Sequence, residues 1–425
     1  MFELIRTNKR KSAGLIVVLG SLLMVLGYAI GLILSPDEPT LSYLFVLIGV
    51  IVWVVMLLTS LAGGEKILLS SARAREVKKA DAPQLYNIVE EMCIASGLST
   101  IPKVYIIDTP DPNAFAVGLK PERAAVAVTT GLMAKLNRDE LQNVVAHEIA
   151  HIQNRDTLFM TLAGVTVGAI IILGDLFFRS MLYGGGRRRG GGGSNQGGAA
   201  LMVLAVVMAI LAPILARLLY FACSRQREYL ADACAAQYTR YPEGLASALD
   251  KISRQATRHP GEIGKNKTLA PMYIINPLAA RSRRAGWFST HPPTEQRIKV
   301  LRSMGGDASL AAYEKAYQSI QGRKEAVLPP SARAATAATP AREATETGGG
   351  KAGTRKQWRE VQDLLHKVDR YAVLACVCGM KIKLPPDYEE SEVACPRCHH
   401  QHVIPPELLA VGALGAATAA KGKQA

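Results

Sequence analysis

The chain has 425 residues and a formal net charge of +15, and 49% of its residues are hydrophobic. This length allows more than one domain and a substantial core. In a soluble protein such a charge would suggest a nucleic-acid partner. Here the basic residues flank long apolar runs, so the charge indicates a membrane surface and argues against nucleic acid as a partner.

Four apolar runs predict membrane segments. Residues 14–34 and 41–62 contain no charged residue and approach the ~20 residues that a helix needs to cross a bilayer. The first is long for a signal peptide, and a second span follows at once. Residues 158–174 and 199–216 form a shorter pair, joined by a Gly- and Arg-rich loop that we expect to be solvated. The sequence therefore predicts a mainly α-helical, multi-pass membrane protein that is embedded in a lipid bilayer.

Basic residues on both sides of the first pair of runs predict its orientation. Lysines and arginines precede residue 14 and recur between 66 and 79, whereas the connection "SPDEPT" carries only acidic charge. By the positive-inside rule, the N-terminus and the segment after Gly64 are cytoplasmic. We expect the protein in the cell inner (plasma) membrane, with the polar domain after the first hairpin on the cytoplasmic side.

That polar domain is predicted to contain a small sheet and a helix with an unusual motif. "PKVYIID", "PNAFAVG" and "RAAVAVTTG" have the β-branched content and turn residues of strands. Asn137 and Glu140 have the spacing of a capping box, which predicts a helix start. The helix then carries "HEIAH", in which His147 and His151 are four residues apart and therefore share a face.

This spacing is typical of a catalytic zinc site. Such a site needs three protein ligands and one open position. A glutamate beside the first histidine, here Glu148, can act as general base on the attacking water. The alternative is a helix with two surface histidines and an ion-paired glutamate.

A third ligand is available in "SRQREYLADAC". Glu228 can complete a His2Glu site, and Asp232 shares its helix face and can accept the far N–H of a ligand histidine. Alternatively, Glu228 is a solvated glutamate paired with a neighbouring arginine. Because two apolar runs separate Glu228 from His147, these runs must both span the bilayer or both insert partially. If they span, the arginines of their loop lie outside, against the charge rule, which leaves a re-entrant hairpin open.

Four cysteines cluster in a C-terminal module. Cys376, Cys378, Cys395 and Cys398 form two pairs across a predicted hairpin, which predicts a zinc-ribbon-like module with a structural zinc ion. The first pair has one intervening residue instead of two, so His399 or His402 is an alternative ligand. Four reduced thiols without metal are the other alternative. Such a module can bind a protein partner.

Several motifs, in this order, resemble the HtpX family of membrane-embedded zinc metalloproteases, relatives of the CAAX prenyl proteases. The matching features cover residues 1 to 303. They are the membrane hairpin, "PNAFAVG", "HEIAHIQNRD", the second hydrophobic hairpin, "SRQREYLAD", "MYIINPL" and "FSTHPPTEQRI".

The resemblance implies a role for each matching residue. His147, His151 and Glu228 would bind the catalytic zinc, and Glu148 would activate the water. His291 would approach the oxyanion of the transition state. Asn154 and Asp156 would support the helix that carries the motif, and Arg297 would brace the site. The segment from Asn113 to Gly118 would form an edge strand that binds the substrate, through Asn113, Ala114, Phe115 and Ala116.

These observations predict an α+β zincin-type (gluzincin) catalytic domain with a small sheet, inserted between membrane segments. The expected function is hydrolysis of peptide bonds in unfolded or damaged membrane proteins, as part of quality control. An intramembrane-cleaving zinc protease and a membrane scaffold with structural zinc are the alternatives. The predicted boundaries are 1–63 for the membrane hairpin, 64–157 and 222–324 for the catalytic domain, 158–221 for the second hairpin, 325–356 for a linker, 357–405 for the zinc-ribbon-like module, and 406–425 for a disordered tail.

Overall fold

A computed structural model describes most of the polar part of the chain. The described residues are scattered positions between 6 and 28, then 39–158, 161, 225–256, 292–322, 326–328, 338–345, 353–369, 371–386, 388 and 390–405. Most of the first apolar run, nearly all of the second hairpin, His291 and the predicted tail lie outside these residues. Two compact units are present: Met1–Glu76 with Asn87–Thr347, and Val77–Tyr86 with Gly348–Ala425.

The second apolar run forms the long helix α1, Pro39–Ser71. Among the described residues, its part Ser42–Ser71 is the one helix long and apolar enough to cross a membrane. The helix is interrupted at Gly63, whose backbone dihedrals are non-helical. Such a break leaves carbonyl groups without helical donors. Arg123 compensates, because its guanidinium donates to the carbonyls of Leu61 and Ala62, at 3.2 and 2.7 Å, and to Glu65.

A four-stranded sheet follows, and it confirms the three predicted strands. Its strands are β1 (Arg75–Glu76), β2 (Lys103–Ile107), β3 (Ala114–Val117) and β4 (Ala125–Thr129). The order is β1-β2-β4-β3, with β2 and β4 parallel and β3 antiparallel to β4, so β3 lies at an edge. Leu68 and Leu69 of α1 pack in one cluster with residues of this sheet, which anchors the sheet to the end of the membrane helix.

The metal-motif helix is buried on almost every side. After α2 (Pro83–Ser96) and α3 (Thr130–Lys135), helix α4 spans Arg138–Gln153. Its start is the predicted capping box: Asn137 accepts from the backbone N–H of Glu140, and the Glu140 carboxylate accepts from that of Asn137. The apolar residues Leu141, Val145, Ile149 and Ile152 are buried, and so is His147 on the other side of the helix. A helix buried all round is a central helix of its domain.

Four further helices follow among the described residues of this unit, and the first two of them pack against α4. They are α5 (Arg225–Thr239) and α6 (Pro242–Ala256), which are separated just before Pro242, and then α7 (Thr294–Arg302) and α8 (Leu310–Gln321). Gly244 of α6 permits a close approach to α4, because a Cβ there would lie 2.3 Å from the Asn143 amide nitrogen. The Thr239 hydroxyl donates to Asn143, and Lys251 pairs with Glu140, each within 2.8 Å.

The second unit carries the cysteine pairs. Helix α9 (Gly353–Val368) precedes two antiparallel hairpins, β5 (Ala372–Ala375) with β6 (Lys381–Leu384), and β7 (Glu392–Ala394) with β8 (Gln401–Val403). Its core combines Cys376 and Cys395 with Ile382, Leu384 and Ile404. So small a core is typical of domains that need a metal or another cross-link for stability.

The capping box of α4 generates a stability prediction. Asn137→Ala removes the side-chain oxygen that accepts from the backbone N–H of Glu140, whereas the backbone N–H of residue 137 can still donate to Glu140. We therefore expect a loss of about 1 kcal/mol and a lower unfolding temperature in detergent. Asn137→Ser keeps a capping oxygen and is the matched control. Equal unfolding temperatures for the two variants would show that the cap does not stabilise α4.

Candidate metal centre

Three side chains from two helices converge in the first unit. His147 and His151 come from α4, and Glu228 comes from the first turn of α5. The two Nε2 atoms are 3.2 Å apart. Glu228 Oε2 lies 3.5 Å from Nε2 of His147, and its Oε1 lies 3.6 Å from Nε2 of His151. The ligand atoms of all three residues lie within 4.8 Å of one another.

These separations fit the ligand set of a zinc ion. Nitrogen and carboxylate ligands bind zinc at about 2.0–2.1 Å, so two of them in a tetrahedral shell lie about 3.3 Å apart. The set contains two imidazoles and one carboxylate, which leaves one position of a tetrahedron for water or substrate. His147 and Glu228 are buried, and His151 is only partly exposed.

A second layer of charged side chains holds the ligands. Asp232 lies one helical turn after Glu228, and its Oδ1 is 3.0 Å from His147 Nδ1. Asp156 Oδ2 is 3.1 Å from Nδ1 of His151. Arg297 of α7 donates through Nε and Nη2 to the two oxygens of Asp232, at 2.8 and 2.6 Å. Each histidine therefore has a carboxylate on the ring nitrogen that faces away from the other ligands, an arrangement that orients metal-binding histidines.

The electrostatics of the cluster favour positive charge at the ligands. Burial alone lowers the pKa of His147, but hydrogen bonds with Asp232 and Glu228 outweigh it and raise this pKa to about 9. Burial also acts to lower the pKa of His151. The hydrogen bond with Asp156 outweighs this effect, so the pKa of His151 is raised. Although burial acts to raise the pKa of Asp232, Arg297 and His147 lower it. A metal cation satisfies the same carboxylates by displacing these protons.

The other residues predicted to belong to the site lie in several elements of the fold. Glu148 lies beside His147 and is buried, and Asn154 is the C-cap of α4 and fully buried. Asn113 precedes β3, which contains Ala114, Phe115 and Ala116, and α4 packs against this strand. Arg297 is in contact with Asp232 rather than with the histidines. His291, which was predicted to approach the oxyanion, lies outside the described residues.

Two contacts were not anticipated from the sequence. Asp156, expected to support the helix, contacts the ligand His151 directly, and Arg227 lies 3.6 Å from Asp156. The position of Asp156 in the chain explains its contact with His151. Asp156 follows the end of α4, and Arg155 before it has the left-handed φ of +61°, so the chain turns back towards the helix.

The cysteines of the second unit form a separate tetrad. Cys376 and Cys398 sulfurs are 3.4 Å apart, and those of Cys378 and Cys395 are 3.7 Å apart. Zinc–sulfur bonds of about 2.3 Å place tetrahedral thiolates about 3.8 Å apart. Residues after each pair have a left-handed φ, Gly379 at +80° and His399 at +58°. Backbone N–H groups of Cys398 and Arg397 lower the pKa of the Cys395 thiol, which favours the thiolate that zinc requires.

Comparisons with known proteins identify the family of this chain. Peptidase family M48 matches residues 79–305. A protease HtpX homolog of Dictyoglomus turgidum is 44% identical over 310 residues, which cover 72% of this chain and 95% of the relative. A protease HtpX homolog of Listeria monocytogenes is 39% identical over 311 residues, which cover 72% of this chain and 100% of the relative. The crystal structure of S. mikatae Ste24p aligns with 19% identity and a TM-score of 0.36, over 71% of this chain and 67% of that one.

The family match extends over more than half of the chain, and the curated relatives are covered almost completely. The chain therefore belongs to peptidase family M48, and it is a membrane-bound zinc metalloendopeptidase that acts in protein quality control.

Proposed function

We propose that His147, His151 and Glu228 hold the catalytic zinc ion of this peptidase and that Glu148 is its general base. The observation that carries the proposal is the convergence of two imidazole nitrogens and a carboxylate within 3.6 Å of one another, in a buried position. The motif spacing and the donor chemistry both fit zinc.

The reaction depends on a few residues with separate tasks. Zinc bound at this site supplies Lewis-acid polarisation of a water molecule and of the scissile carbonyl group. Glu148 takes a proton from the attacking water and delivers it to the leaving amine. Asp232 and Asp156 keep the Nδ1 proton on His147 and His151, so each Nε2 presents its lone pair to the metal. Arg297 holds Asp232 in place through two hydrogen bonds.

The substrate is a polypeptide in extended conformation. β3 is an edge strand packed on α4, the helix that carries the motif. A peptide that adds as a further strand beside β3 is held by main-chain hydrogen bonds, which suits unfolded substrates of varied sequence. In this arrangement Asn113, Ala114, Phe115 and Ala116 contact the substrate. His291 donates to the oxyanion of the transition state, as the HtpX resemblance implies.

The membrane places the protease near its substrates. We propose a multi-pass topology in the inner (plasma) membrane, with both hairpins in the bilayer and the catalytic domain in the cytoplasm. The α1 helix is the support for this proposal in the structure, together with the basic residues around the first hairpin. Misfolded membrane proteins are then the expected substrates.

The second unit binds a structural zinc ion through Cys376, Cys378, Cys395 and Cys398. With four thiolates and no open position, such a site stabilises a small fold and does not catalyse. The module therefore serves to stabilise its own fold and to bind a protein partner, and it takes no part in the peptidase reaction.

Two alternative functions are less well supported. An intramembrane protease places its motif within a span, but α4 begins and ends in polar residues. A scaffold with structural zinc has no use for Glu148 beside the ligands, whereas hydrolysis requires a base there.

The role of Glu148 is tested by Glu148→Gln in the purified, zinc-loaded protein in detergent. We expect cleavage of unfolded casein to fall at least about 100-fold, because general acid–base catalysis contributes 10²- to 10⁴-fold. Zinc content should stay the same, since Glu148 is not a ligand. Glu243→Gln, on the exposed side of α6, is the matched control. A Glu148→Gln protein that still cleaves casein at the control rate would disprove this assignment.

A second substitution tests the orientation of the ligand histidines. Asp156→Asn removes the charge beside His151 Nδ1, and we expect zinc affinity at the His2Glu site to fall about 10- to 100-fold. Competition with a chelator measures this affinity. Asp250→Asn removes a carboxylate from an exposed helical ion pair and should leave it unchanged. Unchanged affinity in both variants would mean that Asp156 does not act through His151.

The cysteine tetrad predicts a second metal ion that is separable from activity. Cys395→Ser should lower the zinc content by one ion per chain and leave casein cleavage largely intact. Cys93→Ser, which changes a buried cysteine of α2, is the matched control and should keep both ions. Zinc content that does not change in Cys395→Ser would favour the reading of four reduced thiols.

A further inference from the structure

Residues 338–345, here called the strap, make many hydrogen bonds with other residues of the first unit. They lie in the Ala-, Thr- and Pro-rich stretch interpreted as a linker and beyond the residues that peptidase family M48 matches. Within the strap, Thr339 and Ala341 exchange backbone hydrogen bonds with Ala308 and Gly306, before α8. Asp307 accepts from the backbone N–H of Thr339. A segment with this many hydrogen bonds is part of the fold rather than a free connection.

The strongest contacts of the strap involve a buried carboxylate in the first turn of α4. Asp139 is 3% exposed. Arg342 Nη2 donates to Asp139 Oδ1 at 2.9 Å, and the backbone N–H of Thr345 donates to Oδ2 at 2.9 Å. The hydroxyl of Thr345 donates to Oδ1 at 3.1 Å. A buried carboxylate depends on such donors, because its charge is costly to remove from water without them.

The same arginine also reaches the end of α5. Its Nε donates to the carbonyl of Thr239 at 3.0 Å, and its backbone N–H donates to the carbonyl of Arg240 at 2.8 Å. The guanidinium carbon lies 5.0 Å from the centre of the Tyr241 ring. In return, Arg240 donates to the carbonyl of Pro340. Arg342 therefore connects the start of α4 with the end of α5.

These two helix ends belong to the pair that carries the metal ligands. The ligands lie in the second half of α4 and the first half of α5, whereas Asp139 and Thr239 lie at the opposite ends. The helices are thus antiparallel, with the ligands at one end of the pair and Arg342 at the other. Eight residues of helix separate Asp139 from His147, a distance of about 12 Å.

We propose that Arg342 is a positioning residue for the metal centre. By joining α4 to α5 at the far end of the pair, it fixes the angle between them and hence the separation of Glu228 from the two histidines. Metal sites tolerate errors of only about 0.5 Å in ligand position, so a small rotation of one helix is enough to weaken binding. This inference rests on the His2Glu site proposed above. It also makes the strap, which lies beyond the family-matched residues, a working part of the protease.

The test compares full-length Arg342→Ala and Arg342→Lys with wild type by cobalt(II) titration. Cobalt reports the two sites separately, because thiolate ligands add strong charge-transfer absorption that a His2Glu site lacks. For Arg342→Ala we expect about tenfold weaker cobalt binding at the His2Glu site, within the usual range for coupled sites. The tetrathiolate site should not change. The kcat for casein should fall with little change in KM, and lysine should restore part of both losses.

Matched variants separate positioning from general stability. Arg302→Ala removes another arginine–carboxylate pair, between α7 and Glu243, and should leave cobalt binding at the His2Glu site unchanged. Asp139→Asn combined with Arg342→Ala should cost less than the sum of the two single losses, because both substitutions remove the contact between Arg342 and Asp139. If Arg342→Ala does not fold, Arg342→Lys and Thr345→Ala give the graded series.

Three results would overturn the inference. One is a lower unfolding temperature for Arg342→Ala with unchanged cobalt affinity and kcat, since this indicates a purely structural strap. Another is an equal loss at the tetrathiolate site, and the third is an equal loss in Arg302→Ala. A wild-type protein without a His2Glu cobalt signal would instead refute the metal site of the proposed function.

Discussion

The buried ion pair between Arg297 and Asp232 is the interaction on which the metal centre depends. Both side chains are 0% exposed. Asp232 and Glu228 together with Asp156 concentrate negative charge around two histidines in a region of low dielectric constant. Removal of one partner from a buried pair is strongly destabilising, because the other charge is left uncompensated. Arg297, from α7, therefore allows α5 to carry two acidic residues one turn apart. Glu228 is the proposed metal ligand, and Asp232 contacts His147.

This requirement explains why the protease unit is assembled from distant parts of the chain. α4 supplies the histidines, α5 the acidic residues, and α7 the compensating arginine. Polar contacts hold α4 against its neighbouring helices at positions away from the histidines. They join Thr239 to Asn143 and Lys251 to Glu140. The sheet contributes a different element, since its edge strand β3 packs on α4 and is anchored by Leu68 and Leu69 to the end of the membrane helix. The sheet thus links the candidate membrane helix to α4, which carries the two histidines of the proposed metal site.

Local signals in the sequence were sufficient for much of this arrangement. The capping pair Asn137 and Glu140 and the β-branched strands are determined by interactions within a few residues, and the structure confirms them. The four-residue spacing in "HEIAH" and in Glu228 and Asp232 predicted two shared helix faces. The contact of Asp156 with His151 could not be predicted in this way, because it depends on the left-handed turn at Arg155 after the helix ends. Burial of His147 could not be inferred from the sequence either, because it comes from packing by helices far along the chain.

The strap shows a further limit of composition as a guide to structure. An Ala-, Thr- and Pro-rich stretch has few apolar side chains to bury, which favours a linker. Residues 338–345 are nevertheless held by polar interactions with a buried carboxylate and with helix-end carbonyls, and none of these needs a hydrophobic side chain. Helix ends expose carbonyl groups that have no partner within the helix. One arginine that satisfies such carbonyls and a buried aspartate can therefore order a segment that its own composition would leave free.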